Sequence, residues 1–377
     1  MPDTYPAARL VSGRVRAHFV RHAATPPPEE GASRAPVPDT DVIERIVNAA
    51  FWASLRREEG AVPKISLAYL PPEQDPDALL FEQPLALEPA ALARVSPVVE
   101  RAGIHLGVWH GGGALHVWGT TRTIPAMCFV LEVVEPGVLV VKHHSGAQTG
   151  KYVNVAVLEG DQVKIVDETA SSLPDCPALL TSLLGFDTPL AWRDSINVLV
   201  PLAVSMRAHR RGGLLLVVPA GSEAWRESVL TPIAYAVAPP YTGLSTVMEA
   251  RDRLPRHLWQ VALRDAVETV AGTTAVDGAT VVTDAYDLLG FGAKITRRRG
   301  APHVEKVTVT EPIEGGAPQE FTAAQIGGTR HLSAAQFVHD QRDSLALVAS
   351  QDGRFTVFAW SPCADQVHAH RVEALLL

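Results

Sequence analysis

Leu214 to Ala220 is an uninterrupted apolar run only seven residues long. Gly212 and Gly213 precede it, and Pro219 falls near its end. A run of that length between turn residues fits a central β-strand covered on both faces, not a membrane helix, which needs about 18–20 apolar residues. A strand buried on both faces requires helices above and below it, so this part of the chain reads as α/β. The flanking pattern agrees. Leu258, Trp259, Ala262, Leu263, Ala266, Val267 and Val270 recur at helical spacing over Pro255–Ala271, with Gln260, Arg264, Asp265 and Glu268 on the other face and Gly272 at the end. Strands are expected at Ala275–Val282, Val304–Val309, Leu345–Ser350 and Phe355–Trp360, with a short helix near Ala334–His339.

The first half has a different texture. Residues 24–39 are rich in Pro, Ala and Glu and read as an exposed linker or loop. Asp41, with Glu44 three residues on, opens a helix through Val42, Ile43, Ile46, Val47, Ala50 and Phe51. A second helix is expected over Ala90–Ala102, kinked or split at Pro97. Two antiparallel hairpins follow: Cys128–Val134 with Val138–Val141 about Glu135-Pro136-Gly137, and Tyr152–Leu158 with Val163–Val166 about Glu159-Gly160-Asp161. The stretch 168–192, with its turn residues and a short apolar helix, is the expected junction. Two domains are therefore expected: an α+β regulatory or sensor-like domain over 1–205 and an α/β domain over 206–377.

Bulk properties exclude several classes. With 377 residues and a net charge of −8, the chain lacks the positive field of a general nucleic-acid or anionic-membrane binder. Arg297-Arg298-Arg299 is a local basic run, expected to be solvated. Cys128, Cys176 and Cys363 are far apart, with neither metal nor disulfide spacing. The first twenty residues show no signal-peptide pattern, so a soluble, cytoplasmic protein is expected. His143-His144 and His368-Ala-His370 read as surface histidines, Gly111-Gly112-Gly113 as a turn, and Trp109, Trp118 and Trp192 as packing residues. Gly150-Lys151-Tyr152 lacks the following hydroxyl residue and upstream glycine of a P-loop.

Two segments about fifty residues apart carry the chemistry. In Val276-Asp277-Gly278-Ala279, the carboxylate of Asp277 can bind a divalent metal or polarise a hydroxyl, and Gly278 lets a ligand approach the backbone. In Gly327-Gly328-Thr329-Arg330-His331-Leu332-Ser333, glycines permit a tight loop before a helix expected to begin near Ser333. Backbone N–H groups and the helix dipole would favour an anion there. Thr329 can donate to phosphate, Arg330 can fork onto it, His331 can hydrogen-bond it, and Ser333 can cap the helix or touch the ligand.

In this order and at this spacing the two segments resemble the paired active-site motifs of the diadenylate cyclase family, over roughly residues 210–362. The resemblance implies a mixed central sheet flanked by helices and the condensation of two ATP into cyclic di-AMP and pyrophosphate with Mg²⁺ or Mn²⁺. It implies Asp277 as the catalytic and metal-binding carboxylate, Gly278 and Ala279 beside the nucleotide, and Gly328, Thr329, Arg330, His331 and Ser333 around the phosphates. Each site would hold one ATP, so two sites must face each other in at least a homodimer. The first half is similar to the variable sensor-like regions attached to such cyclases.

The chain departs from the family at three places, one of them Ser333-Ala334-Ala335, where the small residues come one step later. Leu332 stands where the family has a second arginine. In Ser350-Gln351-Asp352, Gln351 replaces a carboxylate, leaving Asp352 as the local substitute metal ligand. A nucleotide-binding sensor of the same fold without turnover is the alternative, and a purely structural module is a third reading.

Overall fold

The computed structural model describes residues 4–23, 34–144, 152–167 and 198–377. They form two compact units, one ending at Val166 and joined by Leu377, the other running from Asp167 to Leu376. The chain is α/β, with two mixed sheets flanked by helices. The expected junction at 168–192, with Cys176 and Trp192, lies outside the described residues, as do 24–33 of the expected linker and the pair Gly150-Lys151.

In the first unit, helices α1 (Pro6–Ala23), α2 (Thr40–Ser54) and α3 (Pro89–Val95) accompany strands β1 (Ile65–Tyr69), β2 (Leu79–Ala86), β3 (His105–Gly111), β4 (Ala114–Thr121), β5 (Phe129–Glu135), β6 (Val138–His144), β7 (Tyr152–Glu159) and β8 (Gln162–Ile165). Among the described residues these strands form one sheet in the order β2-β4-β3-β1-β5-β6-β7-β8, parallel only between β1 and β3. Val11, Val15 and Phe19 of α1 and Ile43, Ile46 and Ala50 of α2 pack with Leu67, Leu131, Leu139 and Val141 of the sheet.

Both expected hairpins form, and Pro97 ends α3, which passes into a short 3-10 turn over Ser96–Val99. Gly112 and Gly113 take positive φ in the β3–β4 turn. Three expectations need correction. The described end of the linker is docked: Ala35 is buried and its N–H donates to the Ala126 carbonyl. Asp39, not Asp41, is the N-cap position of α2. His143 is buried, not a surface residue.

The second unit contains β9 (Gly213–Val218), β10 (Tyr235–Tyr241), β11 (Ala279–Thr283), β12 (Leu288–Ala293), β13 (Lys306–Thr310), β14 (Gln319–Thr322), β15 (Leu345–Ala349), β16 (Phe355–Ser361) and β17 (Gln366–Arg371). Its helices are α4 (Leu199–Ala208), α5 (Gly243–Glu249), α6 (Arg256–Thr273), α7 (Thr329–Asp340) and α8 (Glu373–Leu376). Sheet order is β10-β12-β11-β9-β15-β16-β17-β13-β14, with β9–β11 and β13–β17 parallel. Every residue of β9 is buried. Leu215 and Val217 face the core with α4 and α6, and Leu214, Leu216 and Val218 face the core with α7. The apolar run therefore lies between two helical layers. Position 205 falls inside α4, whose Leu199, Leu202, Ala203 and Met206 belong to this core.

His368 and His370 are also buried, contrary to their surface reading: β17 runs between β16 and β13, and the Nδ1 of His370 meets the Thr310 hydroxyl at 2.6 Å. Among the described residues, no helix is long and apolar enough to cross a membrane.

Candidate functional site

The chemistry-bearing residues gather where β9 and β11 begin and β12 and β15 end. Register fixes this: Leu214 of β9 pairs with Ala279 of β11 on one side and Val348 of β15 on the other. A cavity of about 640 Å³ opens there. That size lies within the roughly 300–1,000 Å³ of pockets that take drug-sized ligands. Its walls include Asp277, Gly278 and Ala279, then Lys294 just past β12, then Gly328, Thr329, Arg330, His331 and Ser333, and finally Ser350 and Gln351. Two motifs separated by fifty residues thus share one cavity.

Asp277 sits in the turn before β11, not within the strand. Its side chain is 88% exposed, and Oδ2 lies 2.6 Å from the Lys294 ammonium. The hydrogen bond and charge of Lys294 hold its carboxyl below the usual range, helped by the more distant charge of Arg330. Gly278 has φ +111°, and a β-carbon there would stand 2.6 Å from the carbonyl carbon of Gly292. Only glycine brings these two backbones together without strain.

The helix of the second motif begins at Thr329, four residues earlier than expected. Thr329, Arg330 and His331 therefore form its first turn, Gly328 is the N-cap, and Ser333 lies inside the helix and does not cap it. Gly328 has no side chain with which to cap the helix, so the start of α7 offers backbone donors and its positive dipole end to the cavity. Arg330 lies over Gly212, where a β-carbon would stand 2.7 Å from its Nη1 and where φ is +69°. His331 sits beside Gly327, whose β-carbon would come 2.6 Å from the ring, and meets Phe358 edge to face at 6.0 Å. Burial lowers its pKa, and the Arg371, Arg354 and Arg330 charges add to that against Asp352, so the imidazole is neutral near pH 7.

Asp352 does not line the cavity. Its carboxylate accepts the Arg354 N–H at 3.3 Å and faces the Arg354 guanidinium at 3.5 Å, within the β15–β16 turn. Burial pushes its pKa up, but hydrogen bonds from Ser350 and Arg354 outweigh that and hold it low. Gln351 does line the cavity and donates to the Arg211 carbonyl at 3.4 Å. Leu332 is exposed on α7.

Among the described residues, no three His, Cys, Asp or Glu side chains converge as a metal cage. Asp277 is the one carboxylate among the described residues of the cavity wall, so a divalent ion held there would take most of its ligands from elsewhere. Sequence reasoning missed Lys294 and Gly212. Neither belongs to a motif, and each enters the site only through sheet pairing.

A family model described as "Probable sensor domain DACNV" matches residues 32–122, within the first unit. No curated protein matches the chain.

Proposed function

We propose that the second unit is a divergent diadenylate cyclase that condenses two ATP into cyclic di-AMP. The supporting observation is the single cavity that joins Asp277-Gly278-Ala279 to the helix start Thr329-Arg330-His331. A probable sensor domain of the kind found at the N-terminus of diadenylate cyclases lies earlier in the chain and supports the same reading.

In this reading the start of α7, Thr329 and Arg330 hold the triphosphate, and neutral His331 donates or accepts at a phosphate oxygen. Gly278 and Ala279 let the nucleotide lie against the backbone. Asp277 polarises the ribose 3′-hydroxyl and would hold the metal, which supplies charge neutralisation on the phosphates. Each 3′-oxygen bonds to the α-phosphorus of the other nucleotide. The bond from that phosphorus to the bridging oxygen breaks, pyrophosphate leaves, and the 3′-proton passes to Asp277 or solvent. One site holds one ATP, so two copies must face each other.

Gln351 in the cavity wall and the uncharged Leu332 favour a second reading, a nucleotide sensor without turnover. Mass spectrometry of products from the full-length protein with ATP and Mn²⁺ separates the two. Cyclic di-AMP from wild type, reduced about a hundredfold or more in Asp277→Asn, is the expected result. Saturable ATP binding with no product would leave the sensor, and product undiminished in Asp277→Asn would remove Asp277 from the mechanism.

A further inference from the structure

Two residues of the cavity wall carry a fixed positive charge, Arg330 and Lys294. Arg330 belongs to the second motif, whereas Lys294 lies outside both motifs. Its backbone is pinned, because its carbonyl accepts the Leu230 N–H at 2.8 Å. The preceding Gly292 lies against Gly278. The lysine stem therefore leaves a fixed point beside the Asp277 turn, and its ammonium reaches Asp277 at 2.6 Å with 54% of the side chain exposed. An ammonium has three donors, and one hydrogen bond to a carboxylate leaves two.

We infer that Lys294 is a phosphate-binding residue of this cavity, parked on Asp277 in the free protein and shared with the polyphosphate of a bound nucleoside triphosphate. The inference rests on the nucleotide reading of the site. A lysine is a point charge on a flexible stem, so it favours ligands with more phosphate charge over those with less. A divalent ion on the phosphates would neutralise the same charge that Lys294 meets, so the contribution of Lys294 is largest when metal is absent.

The test is isothermal titration of full-length wild type, Lys294→Met and Lys294→Arg with ATP and with AMP, in Mg²⁺ and in EDTA. Lys294→Met is expected to lower ATP affinity by about tenfold or more. AMP affinity should change little, so the ATP-to-AMP ratio falls, and the loss should be larger in EDTA than in Mg²⁺. Lys294→Arg should retain most of the ATP affinity. Melting curves check folding, and Lys294→Gln replaces the methionine variant if that one melts early. Equal ATP affinity in wild type and the uncharged variant would overturn the role of Lys294 while leaving nucleotide binding intact. Wild type that binds neither nucleotide in either buffer would overturn both.

Discussion

Replacing Gly278 by alanine should strike the site and the fold together. The residue has φ +111°, a conformation L-residues rarely adopt. Holding an alanine there costs about 1–2 kcal/mol in backbone strain. The new β-carbon would also stand 2.6 Å from the carbonyl carbon of Gly292 and 2.8 Å from its Cα and oxygen. All three atoms are backbone, so no side chain can swing aside, and the β11–β12 pair must open by several tenths of an ångström. Overpacking of this kind adds about 1–3 kcal/mol, for a total near 2–5 kcal/mol. Urea unfolding of the full chain, followed on the transition of the second unit, measures it. The midpoint should fall with little change in slope. ATP affinity should drop as well, because Asp277 and Lys294 flank the displaced turn. A midpoint shift equivalent to less than 0.5 kcal/mol, with wild-type nucleotide affinity, would refute the claim that this close approach positions the site.

Gly13 gives the opposite sign. It lies in the middle of α1, and a β-carbon there meets nothing within 4 Å, so Gly13→Ala should stabilise the first unit by about 0.5–1 kcal/mol, read as a rise in its melting temperature. Acid should weaken both units through buried histidines. Burial lowers the pKa of His105 to about 4, with its ring between the Ser66 and Tyr152 hydroxyls, and lowers that of His370 to about 3. The folded state then binds these protons less readily than the unfolded chain, whose histidines titrate near about 6.5. Stability present above that pH is lost as pH falls toward 4 and 3. Melting curves from pH 7.5 to 4 should show the decline, and His105→Gln should flatten it for the first unit. An unchanged slope in that variant would contradict the sign.

What could be read from the sequence follows from what each element does. β9 is apolar throughout because both of its faces are covered, and α6 shows its stripe because one face is wet. β10, β12 and β17 hide for different reasons. β10 is an edge strand carrying Pro239 and Pro240, with nearly every residue exposed. β12 is interrupted by Gly290, where a β-carbon would stand 3.0 Å from the Tyr235 carbonyl oxygen of β10, and by Gly292, where φ is +68° and a β-carbon would stand 2.8 Å from the Tyr235 ring. β17 alternates as Gln-Val-His-Ala-His, and imidazoles in buried positions imitate a polar face. The start of α7 was obscured because glycines precede it and Thr329 and His331 are indifferent helix formers. Both motifs were legible as residues. The contact of Lys294 with Asp277 was not, because it depends on where β12 ends relative to β11.

Binding and turnover at this cavity need not fail together. Arg330, Lys294 and the start of α7 all favour an anion, against the single carboxylate of Asp277 in the wall. Each is held by packing on backbone: Arg330 over Gly212, and Lys294 beside the contact of Gly292 with Gly278. Leu332 is exposed, so its lack of charge leaves this arrangement intact, and Gln351 is tied to the Arg211 carbonyl. In the proposed reading, polyphosphate affinity would therefore draw on groups that the departures from the cyclase pattern do not touch. In the proposed reaction, turnover would depend instead on Asp277 and on a second copy presenting its nucleotide in line. Loss of product without loss of ATP affinity would place the defect in the carboxylate or in the pairing of two copies. Raising the protein concentration at saturating ATP separates these causes, because product per chain rises with concentration only if pairing is limiting.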